Sequence, residues 1–253
     1  MKIAILSDIH EDIESLKIAL TIAVSRNCDE IVCLGDICGF SIPAFSYFRT
    51  RNASECIKLI RSSCNIVLAG NHDLFAIRKT PDENGFFNYS DNWYQLDFET
   101  RKRLANNKIW LYEDSELSSL ISHDEEKYLN SLKSYSVLNS ENCQIMFSHS
   151  VFPDLSGSST FFPENHQDLK EHFAFMKENN CLIGFTGHGH IQGIELCFGK
   201  HYQFYTFSTM KLDNCFQWIS CPCVARSNRA NGFLIFNTIS FELEMIDLDK
   251  INS

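Results

Sequence analysis

Five short blocks of this sequence end an apolar run on residues that bind hard-to-borderline cations. They are Asp8-Ile9-His10, Gly35-Asp36-Ile37-Cys38-Gly39, Gly70-Asn71-His72-Asp73, Ser148-His149-Ser150 and Gly187-His188-Gly189-His190. Carboxylate oxygen, amide oxygen and imidazole nitrogen suit Mn, Fe, Zn or Ni, with Mn favoured. Two such ions about 3.5–4 Å apart clamp the oxygens of a phosphoryl displacement and lower the pKa of bound water. A carboxylate can bridge two cations where an imidazole normally serves one, and this gives Asp36 the bridging role. Any one of these blocks alone is weak, since Gly-Asp and Asn-His also serve as turn residues.

The elements that must position these blocks are readable from hydrophobic patterning. Ile3–Leu6 is a continuous apolar run, as expected of a buried strand, and opens onto Ser7-Asp8. Helical spacing follows from Ile13 towards Asn27, then a strand at Glu30–Leu34, a helix near Ser54–Cys64 and a strand at Asn65–Ala69. The first 73 residues thus read strand–helix–strand–helix–strand, each strand closing on Asp, His or Asn. That places the site at the carboxyl ends of the strands, where open α/β sheets keep their ligands.

From Leu74 to about Ser122 aromatic and polar residues mix without alternation, and a mostly helical insertion lying over the site is expected at about 74–122. Among its aromatics, Phe75, Trp93 and Tyr94 are candidates to stack on a base or an aryl leaving group. Ser122 with Glu125 forms a capping box, predicting a helix through Leu132. Further strands are expected before His149, over Leu182–Thr186, and as Gly193–Phe198, Tyr202–Phe207, Phe216–Ser220, Phe233–Asn237 and Phe241–Ile246, with a helix over Asn165–Asn179. The fold class expected is α/β: a four-layer α-β-β-α sandwich, two mixed β-sheets face to face with helices outside, in a single domain over 1–253.

In their order the five blocks resemble the calcineurin-like metallophosphoesterase superfamily, whose pattern is DxH, GDxx(G/D), GNH(D/E), a lone His and GHxH. The match spans residues 8 to 190, and the Ile219–Arg229 tail is similar to that of small bacterial phosphodiesterases. The resemblance implies that Asp8, His10, Asp36 and His190 hold one metal and that Asp36, Asn71, His149 and His188 hold the other. It implies a bridging hydroxide that attacks phosphorus, and a catalytic His72 that faces the leaving group of a phosphomonoester or phosphodiester, with nucleotide-like esters among the candidates. Two divalent cations outweigh Asp8 and Asp36 and leave the pocket cationic, as a phosphate ester requires.

Departures from that pattern matter too. Protein Ser/Thr phosphatases carry Asp-Arg after GDxx and an Arg before GNH; here Gly39-Phe40 and Ala69 stand instead. The carboxylate that would orient His72 is therefore expected to be missing, and Arg226, Arg229 and Arg78 are the candidate substitute cations. Asp73 reads as a cap, with positioning of His72 as its alternative role. Alternatives that keep the chemistry are a Ser/Thr protein phosphatase or a dinucleoside polyphosphate hydrolase. A catalytically weak interaction scaffold would be expected to have lost a ligand.

Composition bounds the partners. The 253 residues carry a formal net charge of −10, so the mean field repels polyanions and general nucleic-acid binding is not expected. No apolar stretch approaches the ~20 residues of a membrane span, and the N-terminus lacks a secretory h-region, so a cytoplasmic protein without membrane association is expected. Eleven scattered cysteines show no paired CxxC spacing, and reduced, mostly buried thiols are the expectation, including Cys221-Pro-Cys223. Oligomeric state is not readable.

Overall fold

A computed structural model describes residues 1–82 and 85–251. The strands are β1 (Lys2–Leu6), β2 (Glu30–Cys33), β3 (Phe40–Ser41), β4 (Ile66–Val67), β5 (Glu116–Leu117), β6 (Tyr135–Asn139), β7 (Gln144–Ser148), β8 (Ile183–Ile191), β9 (Ile194–Phe198), β10 (His201–Tyr205), β11 (Thr209–Lys211), β12 (Gln217–Pro222), β13 (Gly232–Asn237) and β14 (Glu242–Asp247). The helices are α1 (Ile13–Ser25), α2 (Ala53–Ser63), α3 (Asn71–Ala76), α4 (Phe98–Ala105), α5 (His123–Asn130), α6 (Lys170–Glu178) and α7 (Leu248–Ile251).

Two six-stranded sheets form, in the orders β11-β14-β13-β1-β2-β4 and β10-β9-β12-β8-β7-β6. Both are mixed: β1, β2 and β4 run parallel while β13 is antiparallel to β1, and β7, β8 and β12 run parallel while β9 is antiparallel to β12. Alternation along each strand divides the apolar residues between two interfaces. Ile3 and Ile5 of β1, Leu234 and Phe236 of β13, Phe147 of β7 and Phe185 of β8 meet between the sheets. Ala4, Leu6 and Cys33 face the other way and pack on Leu16 and Ala19 of α1 and Cys56 and Ile60 of α2. On the far side Met146 packs on Met176 of α6. The layering is α-β-β-α, as expected, and each fully buried Ile, Leu or Phe in it contributes roughly 1.5–3 kcal/mol.

Helix boundaries follow their caps. Asp12 accepts from the Ser15 N–H to start α1, Asn52 does the same for Glu55 at α2, and the Ser122–Glu125 box opens α5. The segment 74–122 is less helical than its composition suggests. Among the described residues helix there is the end of α3, a single 3-10 turn at Trp93–Gln95, and α4. Its aromatics Phe86, Phe87, Tyr89 and Tyr94 gather around buried Trp93 in a small core of their own. The strand expected at Asn65–Ala69 is short, since only Ile66 and Val67 pair with β2 before the chain turns into α3. Among the described residues no helix is long and apolar enough to cross a membrane, and all eleven cysteines are free.

Candidate metal centre

All five blocks lie at one end of the two sheets. Asp8 and His10 follow β1, Asp36 follows β2, and Asn71 and His72 are the first residues of α3, whose cap is Gly70. His149 follows β7, and His188 and His190 sit near the end of β8. The structure brings every one of the predicted residues together. Asp8, His10, Asp36 and His190 offer atoms within 4.8 Å of one another, as do Asp36, His149 and His188. Asp36 alone belongs to both groups.

The donors are pre-aimed. His10 Nδ1 lies 2.8 Å from the Gly39 carbonyl and His149 Nδ1 3.2 Å from that of Leu34; a proton donated there leaves each Nε2 lone pair facing the centre. Asn71 Nδ2 donates to Tyr112 Oη at 2.5 Å, which turns Oδ1 inward to 3.1 Å from His149 Nε2. Asp36 Oδ1 accepts from the His72 N–H at 2.9 Å and Asp8 Oδ2 from the His188 N–H at 3.1 Å. Their other oxygens, Asp36 Oδ2 and Asp8 Oδ1, have no hydrogen-bond partner although buried, and neither has His188 Nε2.

Carboxylate oxygens and imidazole nitrogens converging this closely are electrostatically costly unless protons or a cation join them. His190 Nε2 is 3.2 Å from Asp8 Oδ1, His149 Nε2 is 3.1 Å from Asp36 Oδ2, and the His10 and His190 Nε2 atoms are 2.9 Å apart. This donor set fits divalent metal ions.

The charge states of Asp8, His10, Asp36 and His188 agree with that fit. Burial pushes the His10 and His188 imidazoles down to about 3, so both are neutral and able to ligate. Burial would raise Asp8 and Asp36, but His190 beside Asp8 and His149 beside Asp36 outweigh it and keep both carboxylates well below the usual range. Burial likewise opposes charge on His149, yet Asp36 overrides it and lifts the imidazole to about 9. A cation at Asp36 would compete with that proton.

His72 stands apart from these groups, edge-on to His10 at 4.8 Å between centroids. Its Nδ1 lies 2.5 Å from Glu116 Oε2. A carboxylate does orient His72, contrary to the sequence reading, and it arrives from elsewhere in the chain. β3 continues from Gly39, and β5 pairs with it so that Glu116 lies opposite Ser41. Gly39, at φ +92°, is required there, because a Cβ would lie 2.5 Å from His72 Cβ. Burial disfavours charge on His72, but Asp36 and Glu116 prevail and raise it to about 9. No local pattern around Glu116 marks it; the signal is long-range pairing. Asp73 takes the cap role instead, accepting from the N–H groups of Cys38 and Gly70.

Two of the candidate cations are engaged away from the centre. Arg226 forks onto Asp12 at 2.8 Å through both Nε and Nη2 and also meets Glu14, while Arg78 pairs with Glu113. Arg229 is nearer, with Nη1 donating to the His190 carbonyl. The aromatics also differ from expectation. Trp93 and Tyr94 lie in their own core and Phe75 packs under Tyr112, whereas Phe45, Trp110, Tyr112 and Phe162 line a cleft of about 450 Å³ over His10, His72, His188 and His190.

A protein of Methanocaldococcus jannaschii, MJ0912, is 28% identical over 189 residues, covering 75% of this chain and 62% of its own length, so the chain spans less than two thirds of that relative. A metallophosphoesterase from Sphaerobacter thermophilus shares the fold with a TM-score of 0.62 at 18% identity, covering 98% of this chain and 87% of that one. A structure described as a putative diadenosine tetraphosphatase shares it with a TM-score of 0.52 at 15% identity, covering 97% and 93%. The family model of calcineurin-like phosphoesterases matches residues 1–192, which takes in all five blocks, and the chain belongs to that family.

Proposed function

We propose that the chain hydrolyses phosphate esters using two divalent cations, one held by Asp8, His10, Asp36 and His190, the other by Asp36, Asn71, His149 and His188. Bound there, the ions would supply Lewis acidity towards the non-bridging phosphoryl oxygens and a water of lowered pKa as nucleophile. The observation that carries this reading is the convergence of Asp8 Oδ1, Asp36 Oδ2 and His188 Nε2, all buried and all without a hydrogen-bond partner. Asp36 sits between the two groups of donors, which suits a shared ligand.

The chain's own residues then divide the remaining work. His72, held by Glu116, is placed on the rim of the cleft to protonate the departing oxygen. Gly39 lets its ring approach, and Tyr112 fixes the Asn71 amide. The rings of Phe45, Trp110 and Phe162 line the cleft and offer apolar surface to an organic group on the ester. With Arg226 and Arg78 committed elsewhere, and Arg229 alone of the three candidates beside the centre, the site has fewer extra cations than a polyphosphate chain would need, and simple mono- or diesters suit it better than a dinucleoside polyphosphate or a phosphoprotein.

Metal content measured by mass spectrometry, alongside hydrolysis of aryl mono- and diesters with added Mn, tests this. Asp36→Asn is expected to lose metal from both positions and to abolish turnover. Full metal content and undiminished turnover in that variant would refute the shared-ligand assignment.

A further inference from the structure

Behind the metal centre, on the outer face of the second sheet, lies a second cavity. In register, Ser220 of β12 faces Thr186 of β8 and Glu195 of β9, while Trp218 of β12 and Tyr202 of β10 flank Cys197. Val151, Leu169 and Phe173 pack with Trp218 and Tyr202, beside Thr186, Glu195 and Ser220. There a space of about 370 Å³ remains, closed on one side by Phe162, Pro163 and Glu164. Volumes of this order hold small-molecule ligands.

This cavity shares a wall with the centre. His188, Gly189 and Phe162 line both it and the cleft over His72, and Phe162 lies flat against the His188 ring at 4.8 Å and 7°. A phosphorus atom held beside His188 therefore has room on two sides. A monoester would fill one of them. A diester would fill both, with its leaving group by His72 and its retained group beyond His188.

The lining is selective. Its ionisable residues besides His188 are Glu164, Glu195 and Tyr202, with no lysine or arginine among them, and its rings are Phe162, Tyr202 and Trp218. Glu195 is half-buried and has no lysine or arginine partner among the described residues; burial raises its pKa, and a nearby cation would reverse that. The Tyr202 hydroxyl donates to the Pro163 carbonyl at 2.8 Å, which ties the closing segment to the sheet. Carboxylates beside aromatic rings attract organic ammonium groups and repel a second phosphate.

We propose that this cavity binds an alkylammonium group, carried by the alcohol that stays esterified to phosphorus in a phosphodiester substrate. The inference rests on the phosphoesterase reading above for its reaction. Water's oxygen bonds to phosphorus, the bond to the other ester oxygen breaks, and that oxygen leaves with a proton. The products are one alcohol and an ammonium-bearing phosphomonoester.

Two measurements test it separately. Calorimetric titration of the full chain, stripped of metals, uses choline and its uncharged isostere 3,3-dimethylbutanol. Choline is expected to bind about ten-fold more tightly, and Glu195→Gln to remove the difference. Equal binding of the two probes, or a preference untouched in both Glu195→Gln and Phe162→Ala, overturns the ammonium assignment without bearing on hydrolysis. With Mn added, 4-nitrophenyl phosphorylcholine is expected to be hydrolysed with a higher kcat/KM than the matching 3,3-dimethylbutyl diester, by a similar factor, and the ratio to fall towards one in Glu195→Gln. A ratio of one in the wild type overturns the proposal. If no ester is hydrolysed while choline still binds selectively, the phosphoesterase reading fails and the cavity assignment stands.

Discussion

Replacing Glu116 with Gln is the sharpest probe of the reaction, because it changes charge at nearly constant shape. The carboxylate is almost fully buried, with its side chain 2% exposed, and it contacts Nδ1 of His72, whose side chain is 13% exposed. Solvent screening is therefore slight. A hydrogen bond to a charged group contributes about 1.5–3 kcal/mol, or roughly a ten- to hundred-fold change in rate if it is made when His72 gives up its proton. Glutamine still accepts from Nδ1, so the ring stays placed while the anion is lost. Losing an anion lowers the His72 pKa from about 9, so the alkaline limb of the pH–rate profile should move to lower pH.

The discriminating assay is a series of aryl phosphate esters of increasing leaving-group pKa. Proton donation matters most for basic leaving groups, so Glu116→Gln should cost little with 4-nitrophenol and most with phenol. Metal content should not change. His72→Ala, expected to lose about 10²–10⁴-fold, should mask the Glu116 effect in the double variant, since both act through one proton. A uniform loss across the series, or additive losses in the double variant, would refute the assignment of Glu116 as a positioning residue.

Other consequences are simpler to check. If cations join the buried acceptors at Asp8, Asp36 and His188, thermal stability should rise with Mn concentration and fall with a chelator. At a hundred-fold excess over Kd the gain is about 2.7 kcal/mol per site, read as a concentration-dependent Tm. His172 is fully buried, accepts from the Phe152 N–H and is pushed down to about 3 by burial, from 6.5. Between those values the unfolded chain binds a proton that the folded chain refuses, so stability falls as pH falls, by about 1.4 kcal/mol per unit. Urea midpoints from pH 7 to 5 should show a shallower slope in His172→Gln, and identical slopes would contradict the burial argument.

The legible part of the molecule was the part governed by local rules. A buried parallel strand is a short apolar run, and its carboxyl end is marked by the first polar residue. Asp8, Asp36, Asn71, His149 and His188 could therefore be placed on one edge before any coordinates. The cap at Ser122 carried its own signature in Glu125 three residues on.

What could not be read depended on contacts between distant segments. Glu116 reaches His72 through a strand pair between residues 40–41 and 116–117, each too short to leave a periodic trace. Trp110 and Phe162 line the cleft and Trp93 does not, because the small core around Trp93 is chosen by three-dimensional packing rather than by composition. Arg226 looked available because its partner, Asp12, lies more than two hundred positions away.

That last pairing bears on how the centre is held. Asp8, His10, Asp36, His188 and His190 all have positive φ, at 57°, 45°, 54°, 67° and 46°. For residues with a side chain this costs roughly 1–2 kcal/mol each and persists only where surrounding contacts impose it. Some of those contacts come from within the family-matched region: the N–H groups of Ile9 and His10 both donate to the Asp36 carbonyl. Others come from beyond residue 192. The Val224 and Ala225 N–H groups donate to the carbonyls of Ser7 and Asp8, Cys223 Sγ donates to the Asp8 carbonyl, and Arg226 clamps Asp12 at the start of α1. The loop that carries Asp8 and His10 is thus strapped by the segment that links β12 to β13. The five blocks end at His190, but part of what holds Asp8 and His10 in this backbone conformation comes from residues 223–226, beyond the family-matched region.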